Sequence, residues 1–215
     1  MNSTDSNFNR RRFLRSLGMT LPWVTLAPAW ASTSVIHNPA VDLDYVSREL
    51  PLKRRSEWAC VEPNVKRLHP AINNIFHRIT VHHTGLDVIT ATSDSAVARC
   101  LDGVLGGHLH RDFGDIGYHF LVDYAGRVWE GRSLKYWGAH VSGQNEYNIG
   151  IVLLGNFERQ RPSRLQLISM ETLIGLLRQR FAIQKGQVYG HMDLGQTLCP
   201  GKYLYPRVER LNRLA

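Results

Sequence analysis

The spacing of apolar positions changes several times along the chain, and each change marks an element. Ile79 and Val81 alternate with polar residues, which predicts a strand with one buried face. Residues 84–93 lose that alternation and read as a loop. From Asp94 to His110 the apolar residues recur at helical spacing, with Val97, Cys100, Leu101, Val104, Leu105 and His108 on one stripe. Gly103, Gly106 and Gly107 weaken that helix. Residues 118–122 and 127–129 predict two strands around Asp123-Tyr124-Ala125-Gly126, a hairpin turn. Residues 149–154 form an unbroken apolar run, as a central strand covered on both faces requires. Ser163 with Gln166 makes a capping box that opens the clearest helix. That helix carries Leu167, Met170, Ile174, Leu177 and Phe181 on one side and closes on Arg178 and Arg180. Residues 187–189 predict a last strand. Strands interleaved with helices make an α/β domain, and neither repeats nor low-complexity segments interrupt it.

At 215 residues the chain has room for one domain and some extra sequence. The extra sequence is at the start. Arg10-Arg11-Arg12-Phe13-Leu14-Arg15 precedes a modest apolar run over residues 17–29, broken by Pro22, and then Ala29-Trp30-Ala31. Basic region, apolar region and small-residue site together read as a signal peptide over residues 1–31. The Arg10-Arg11 pair with Phe13-Leu14 is of the twin-arginine type, which addresses a bacterial export route and a periplasmic or secreted destination. The apolar run is too short and interrupted for a membrane anchor, so stable membrane insertion is not expected after processing. Residues 32–52 lack periodicity and read as an extended lead-in; the domain proper is expected over 53–215. Loss of residues 1–31 removes Arg10, Arg11, Arg12 and Arg15 against Asp5, so the formal charge of +8 becomes +5. The remaining basic balance favours anionic partners. The basic residues are scattered and no nucleic-acid motif is present, which sets nucleic acid aside.

The candidate chemistry lies in two segments. In Gly190-His191-Met192-Asp193-Leu194-Gly195-Gln196-Thr197-Leu198-Cys199-Pro200-Gly201, an imidazole and a thiol lie eight residues apart. Both are good zinc ligands, and a loop folding back brings them together where a helix would not. A third ligand is offered by His82-His83 at the end of the strand holding Ile79 and Val81. The two side chains point to opposite faces, so only one of them easily joins a shared site. Two histidines and Cys199 make a three-ligand site with an open fourth position, the pattern of a catalytic zinc. Cys60 and Cys100 are then left over, open either to a disulfide in an oxidising compartment or to remaining free thiols.

Several further segments fall in one order from Arg54 to Tyr205: Arg55-Ser56-Glu57-Trp58, Ile79-Thr80-Val81-His82-His83-Thr84, Asp115-Ile116-Gly117-Tyr118-His119-Phe120, Trp129-Glu130-Gly131-Arg132, Gly138-Ala139-His140, Asn148-Ile149-Gly150-Ile151 and Leu154-Gly155-Asn156-Phe157, followed by the His191 to Gly201 stretch. With these the chain resembles the zinc amidases of the N-acetylmuramoyl-L-alanine amidase type 2 and peptidoglycan-recognition protein family. The resemblance implies a single domain with a mixed central β-sheet flanked by helices. It implies Zn2+ held by His82, His191 and Cys199, and it is this pattern that selects His82 over His83. It also implies Tyr118 as the active-site tyrosine and Thr197 as a residue tuning the oxyanion site. His140, Arg132 and Asn148 match groove positions and are expected to contact substrate. The implied activity is zinc-dependent hydrolysis of the amide between N-acetylmuramic acid and L-alanine, with peptidoglycan or muropeptide fragments as partners. The alternative is a peptidoglycan-binding module without catalysis. Binding-only relatives typically lose the cysteine ligand, and Cys199 is present. Two departures stand out: Ser133-Leu134 follows Glu-Gly-Arg, so the usual indicator of stem-peptide type is missing, and Met192 replaces the usual arginine after His191.

Overall fold

A computed structural model describes residues 39–214. The expected signal peptide and the first part of the lead-in lie outside those residues. Among the described residues, four α-helices, α1 (Pro39–Ser47), α2 (Asp94–His110), α3 (Arg164–Phe181) and α4 (Tyr205–Leu214), accompany six strands. The strands are β1 (Leu52–Lys53), β2 (Arg78–His83), β3 (Phe120–Val122), β4 (Val128–Glu130), β5 (Asn148–Leu153) and β6 (Val188–Gly190). They form one sheet in the order β1-β4-β3-β5-β2-β6, parallel throughout except for the β3–β4 hairpin. A mixed sheet between helices is the expected architecture.

The central strands are short and apolar on both faces because both faces are covered. On one face Ile79, Val81, Ile149, Ile151 and Leu153 pack with Met170, Leu173 and Leu177 of α3 and Val208 of α4. On the other, Leu121, Trp129 and Val152 pack with Val97, Leu101 and Leu105 of α2. The alternation in β2 therefore points Ile79 and Val81 towards α3 and leaves Thr80 and His82 for the opposite side.

α2 occupies the expected span and starts where Ser93 Oγ accepts the Ala96 N–H. A Cβ at any of its three glycines would meet nothing within 4 Å, so packing does not require them. α3 opens on the expected Ser163–Gln166 capping box, with Gln166 also buried and bonded to the Leu154 carbonyl. It closes where Ala182 turns left-handed (φ 52°) and the Ile183 N–H reaches back to the Arg178 carbonyl at 3.0 Å. In the hairpin, buried Asp123 accepts from the Arg127 backbone, from Arg127 Nε and from Trp129 Nε1, which fixes the turn against the sheet.

Two expectations need correction. The described part of the lead-in is not extended throughout: residues 39–47 form α1, with Val46 and Leu50 buried in the main core, so the packed domain begins before residue 53. The regular part of β3 begins at Phe120 rather than Tyr118. Residues 117–119 still bond to their neighbours, with Arg132 N–H to the Tyr118 carbonyl and His119 N–H to the Gly150 carbonyl, but outside a continuous ladder. Cys60 is exposed and Cys100 half-buried, and both are free thiols. Among the described residues no helix is long and apolar enough to cross a membrane.

Candidate metal centre

The sheet brings the two histidines of the candidate site together. β2 and β6 run parallel with Val81 opposite Gly190, so the next residue of each strand, His82 and His191, emerges at the same rim. Their ring centroids lie 4.6 Å apart. His191 starts a single tight turn (His191–Asp193), after which the chain loops back to Cys199. That loop is closed by the Met192 N–H donating to the Cys199 carbonyl at 2.7 Å. Cys199 Sγ then lies 3.6 Å from His82 Nδ1, and one ligand atom from each of His82, His191 and Cys199 falls within 4.8 Å of the others. His83 faces the other way, its Nδ1 accepting the Phe157 N–H. Only its backbone turns to the site: the N–H donates to Cys199 Sγ at 3.4 Å, and the carbonyl oxygen lies 4.0 Å from the same sulfur. The strand pleat thus gives the physical reason for choosing His82.

The electrostatics suit a soft divalent cation. Burial, reinforced by His140 and His191, holds His82 neutral well below the usual imidazole range, and burial also lowers His191. Burial pushes the Cys199 thiol up to about 12, against the pull of the His83 N–H. Two neutral imidazoles and a thiol that needs a cation to become a thiolate are a zinc-type donor set rather than one for magnesium or calcium.

Tyr118 sits beside the triad, its ring centroid 5.1 Å from that of His82. Burial, then the nearby Cys199, raises its pKa, so the phenol stays protonated. Its hydroxyl has no hydrogen-bond partner among the described residues. Thr197 Oγ1 accepts the Cys199 N–H at 3.1 Å, which leaves its own hydrogen free to donate. Two hollows of about 370 and 410 Å³ meet at His108, Arg111 and Tyr118. The first is completed by His140, Asn145 and His191, the second by Thr84, Leu86, Gly103 and Gly107.

The structure separates the expected substrate contacts. His140 lines the groove. Arg132 does not: it is 3 % exposed, and its guanidinium donates to the carbonyls of Ile116, Trp137, Phe113 and Asp115. Asn148 does not either: its buried side chain accepts from Thr80 Oγ1 and donates to the Gln144 carbonyl. Both side chains are spent on the protein's own groups, which points to structural roles. His108, read from its place on the α2 stripe as a core position, belongs to the groove as well as the core. Its Nδ1 accepts the Gly117 N–H, and burial lowers its pKa to about 4. Arg111, just beyond α2, has no periodic signal, being the exposed residue at the helix end.

Comparison with known proteins gives the family and supports the fold. The family model for N-acetylmuramoyl-L-alanine amidase matches residues 73–202, more than half of the chain. The chain therefore belongs to the N-acetylmuramoyl-L-alanine amidase family. Peptidoglycan-recognition protein SC2 of Drosophila simulans is 31% identical over 156 residues, covering 72% of this chain and 82% of that protein. The crystal structure of Drosophila peptidoglycan recognition protein SD superposes with a TM-score of 0.68 at 27% identity, over 75% of this chain and 95% of that one. The amidase LysC of Clostridium intestinale URNW superposes with a TM-score of 0.59 at 25% identity, over 75% of this chain and 97% of that one.

Proposed function

We propose that this protein is a zinc-dependent hydrolase that cleaves the amide between N-acetylmuramic acid and L-alanine in peptidoglycan or its muropeptide fragments. The observation that carries the reading is the intact, convergent triad of His82, His191 and Cys199 beside a groove with an unpartnered phenol. A bound zinc ion supplies Lewis-acid polarisation of a carbonyl and a nucleophilic water at neutral pH. The chain's own residues do the rest. His82 and His191 present neutral imidazoles, and Cys199 supplies a soft anionic ligand. Tyr118, held protonated, donates to the substrate carbonyl oxygen as negative charge develops there. Thr197, oriented by the Cys199 N–H, adds a second donor. Arg132 acts indirectly, by holding the backbone at Phe113, Asp115 and Ile116, of which Phe113 lines the groove with Tyr118. Export through the twin-arginine-type signal belongs to the same proposal and places the enzyme where wall polymer is accessible.

A binding module is the second reading. It is favoured by the names of the relatives, among them a recognition-protein complex, LCa with LCx, solved with tracheal cytotoxin bound. Mass spectrometry of wall fragments incubated with mature protein separates the two. Wild type should carry one zinc and release free stem peptide. Cys199→Ser should lose most of the metal and the activity. Tyr118→Phe should keep the metal and slow release on the order of a hundredfold. Stoichiometric zinc without stem-peptide release from a panel of walls and soluble fragments would establish the binding module instead.

A further inference from the structure

The metal-facing histidine is one end of a buried hydrogen-bonded chain that the metal site alone does not explain. His140 Nε2 lies 3.2 Å from the Asn148 carbonyl oxygen. A carbonyl only accepts, so this nitrogen carries the hydrogen. In a neutral ring Nδ1 then has only its lone pair, and it faces His82 Nε2 at 3.0 Å. His82 Nε2 must therefore donate. His82 Nδ1, the atom 3.6 Å from Cys199 Sγ, is left bare. The ring is buried, its nitrogens meet only His82 and the Asn148 carbonyl among the described residues, and no carboxylate faces it to balance a second proton.

The slot around His140 is made for a flat ring. A Cβ on Gly138 would come within 2.2 Å of His140 Cδ2, and one on Gly150 within 2.5 Å. Gly150 interrupts the apolar run of β5, where glycine weakens a strand, and the imidazole is what occupies the space it leaves. The backbone at His140 is pinned as well, since Asn145 Oδ1 accepts the N–H groups of both His140 and Val141 at 2.8 and 2.9 Å. The ring meets His82 nearly edge-on, with an interplanar angle of 83°.

We propose that His140 is a positioning residue that locks His82, in tautomer and in ring orientation, with Nε2 protonated and Nδ1 aimed at the metal. Its functional meaning rests on the zinc reading above; the lock itself does not. Metal-bound imidazoles are commonly oriented through their second nitrogen, and loss of such a partner weakens metal affinity about 10- to 100-fold.

The test uses the mature chain and three proteins: wild type, His140→Phe, which keeps a flat ring without nitrogens, and His140→Gln, which keeps one donor and one acceptor. In metal-free wild type, ring nitrogen NMR should show His82 protonated at Nε2, with that proton shielded from exchange. His82 protonated at Nδ1 would overturn the proposal whether or not any variant folds. In His140→Phe the shielded proton should disappear, and the zinc dissociation constant, measured by chelator competition, should rise about 10- to 100-fold. His140→Gln should recover most of that loss. A folded His140→Phe whose zinc affinity stays within about threefold of wild type, well short of that range, would reduce His140 to a packing residue and overturn the lock. A wild type that shows the Nε2 tautomer but binds no zinc would sink the metal reading while leaving the lock standing.

Discussion

Arg132→Met separates a substrate-binding arginine from a structural one. In the native protein its guanidinium makes three bonds of 2.8 Å and one of 3.2 Å to backbone carbonyls, all in a buried or half-buried setting. Charged hydrogen bonds contribute about 1.5–3 kcal/mol each, so four give roughly 6–12 kcal/mol gross. Burial acts against this: it lowers the arginine from 12.5 to about 10, with Asp115 pushing the other way. At about 1.4 kcal/mol per unit, that is roughly 3 kcal/mol of desolvation. Methionine fills the aliphatic volume and carries no charge, but it leaves four carbonyls without this donor. The expected net loss is about 3–5 kcal/mol, the range typical when one partner of a buried charged network is removed. For a domain of this size that corresponds to a drop of roughly 10 °C in Tm. Urea titration measures it as a lower midpoint with an unchanged slope. If Arg132→Met unfolds within about 1 kcal/mol of wild type, less than one such bond contributes, yet no longer binds muropeptide, the guanidinium belongs to the substrate and the structural account is wrong.

Three further outcomes are expected. His119 is buried with both ring nitrogens engaged, to the Gly150 N–H and the Tyr136 carbonyl, and burial lowers its pKa to about 4. The unfolded chain takes up a proton near pH 6.5, so stability is full above that pH. The His119 contribution falls between 6.5 and about 4 by up to roughly 3 kcal/mol and levels off below; because His108 titrates over the same range, His119→Gln should lower the slope of this segment of a stability–pH curve without abolishing it, and an unchanged slope refutes it. Arg10→Lys with Arg11→Lys should leave the precursor in the cytoplasm, and normal processing of the double variant in a fractionation assay counts against the twin-arginine reading. Thiol counting on denatured, metal-free protein should find Cys60, Cys100 and Cys199 all free; a count of one would restore the disulfide.

What is legible in the sequence follows from how each residue is used. β2, β5, α2 and α3 are plain because each buries a continuous face, and burial imposes a period. α1 shows none: a nine-residue helix is held by a few tertiary anchors such as Val46, so it carries no local signal. Arg132 and Asn148 mislead for a different reason. A polar residue inside a family motif looks the same whether it reaches a ligand or satisfies buried backbone, and only the surrounding carbonyls distinguish the two. His108 shows the converse. Its place on the α2 stripe is a true core position, but the glycines beside it leave that side of the helix open, and the ring reaches the groove.

The two kinds of candidate ligand are held by different means, and this decides where the site is vulnerable. His82 is preset by the sheet: the parallel pairing of β2 with β5 and β6 fixes its backbone, and its side chain is fully buried. Cys199 stands in a loop whose shape depends on bonds outside the sheet. Asp193 is the hinge of those bonds. Its Oδ2 accepts the Gly190 N–H at 2.7 Å, and its Oδ1 accepts the Tyr205 hydroxyl at 2.6 Å. Tyr205 is the first residue of α4, and Val208 in the same helix is buried in the core with Val188 of β6. The register of α4 on the sheet is thereby passed through one carboxylate to the loop between His191 and Cys199. The departure at Met192 fits this arrangement, because what that position supplies to the loop is its backbone N–H to the Cys199 carbonyl, which any residue other than proline provides. The ligand set therefore depends on residues with no metal chemistry of their own, and α4 belongs to the site as much as the strands that carry the histidines.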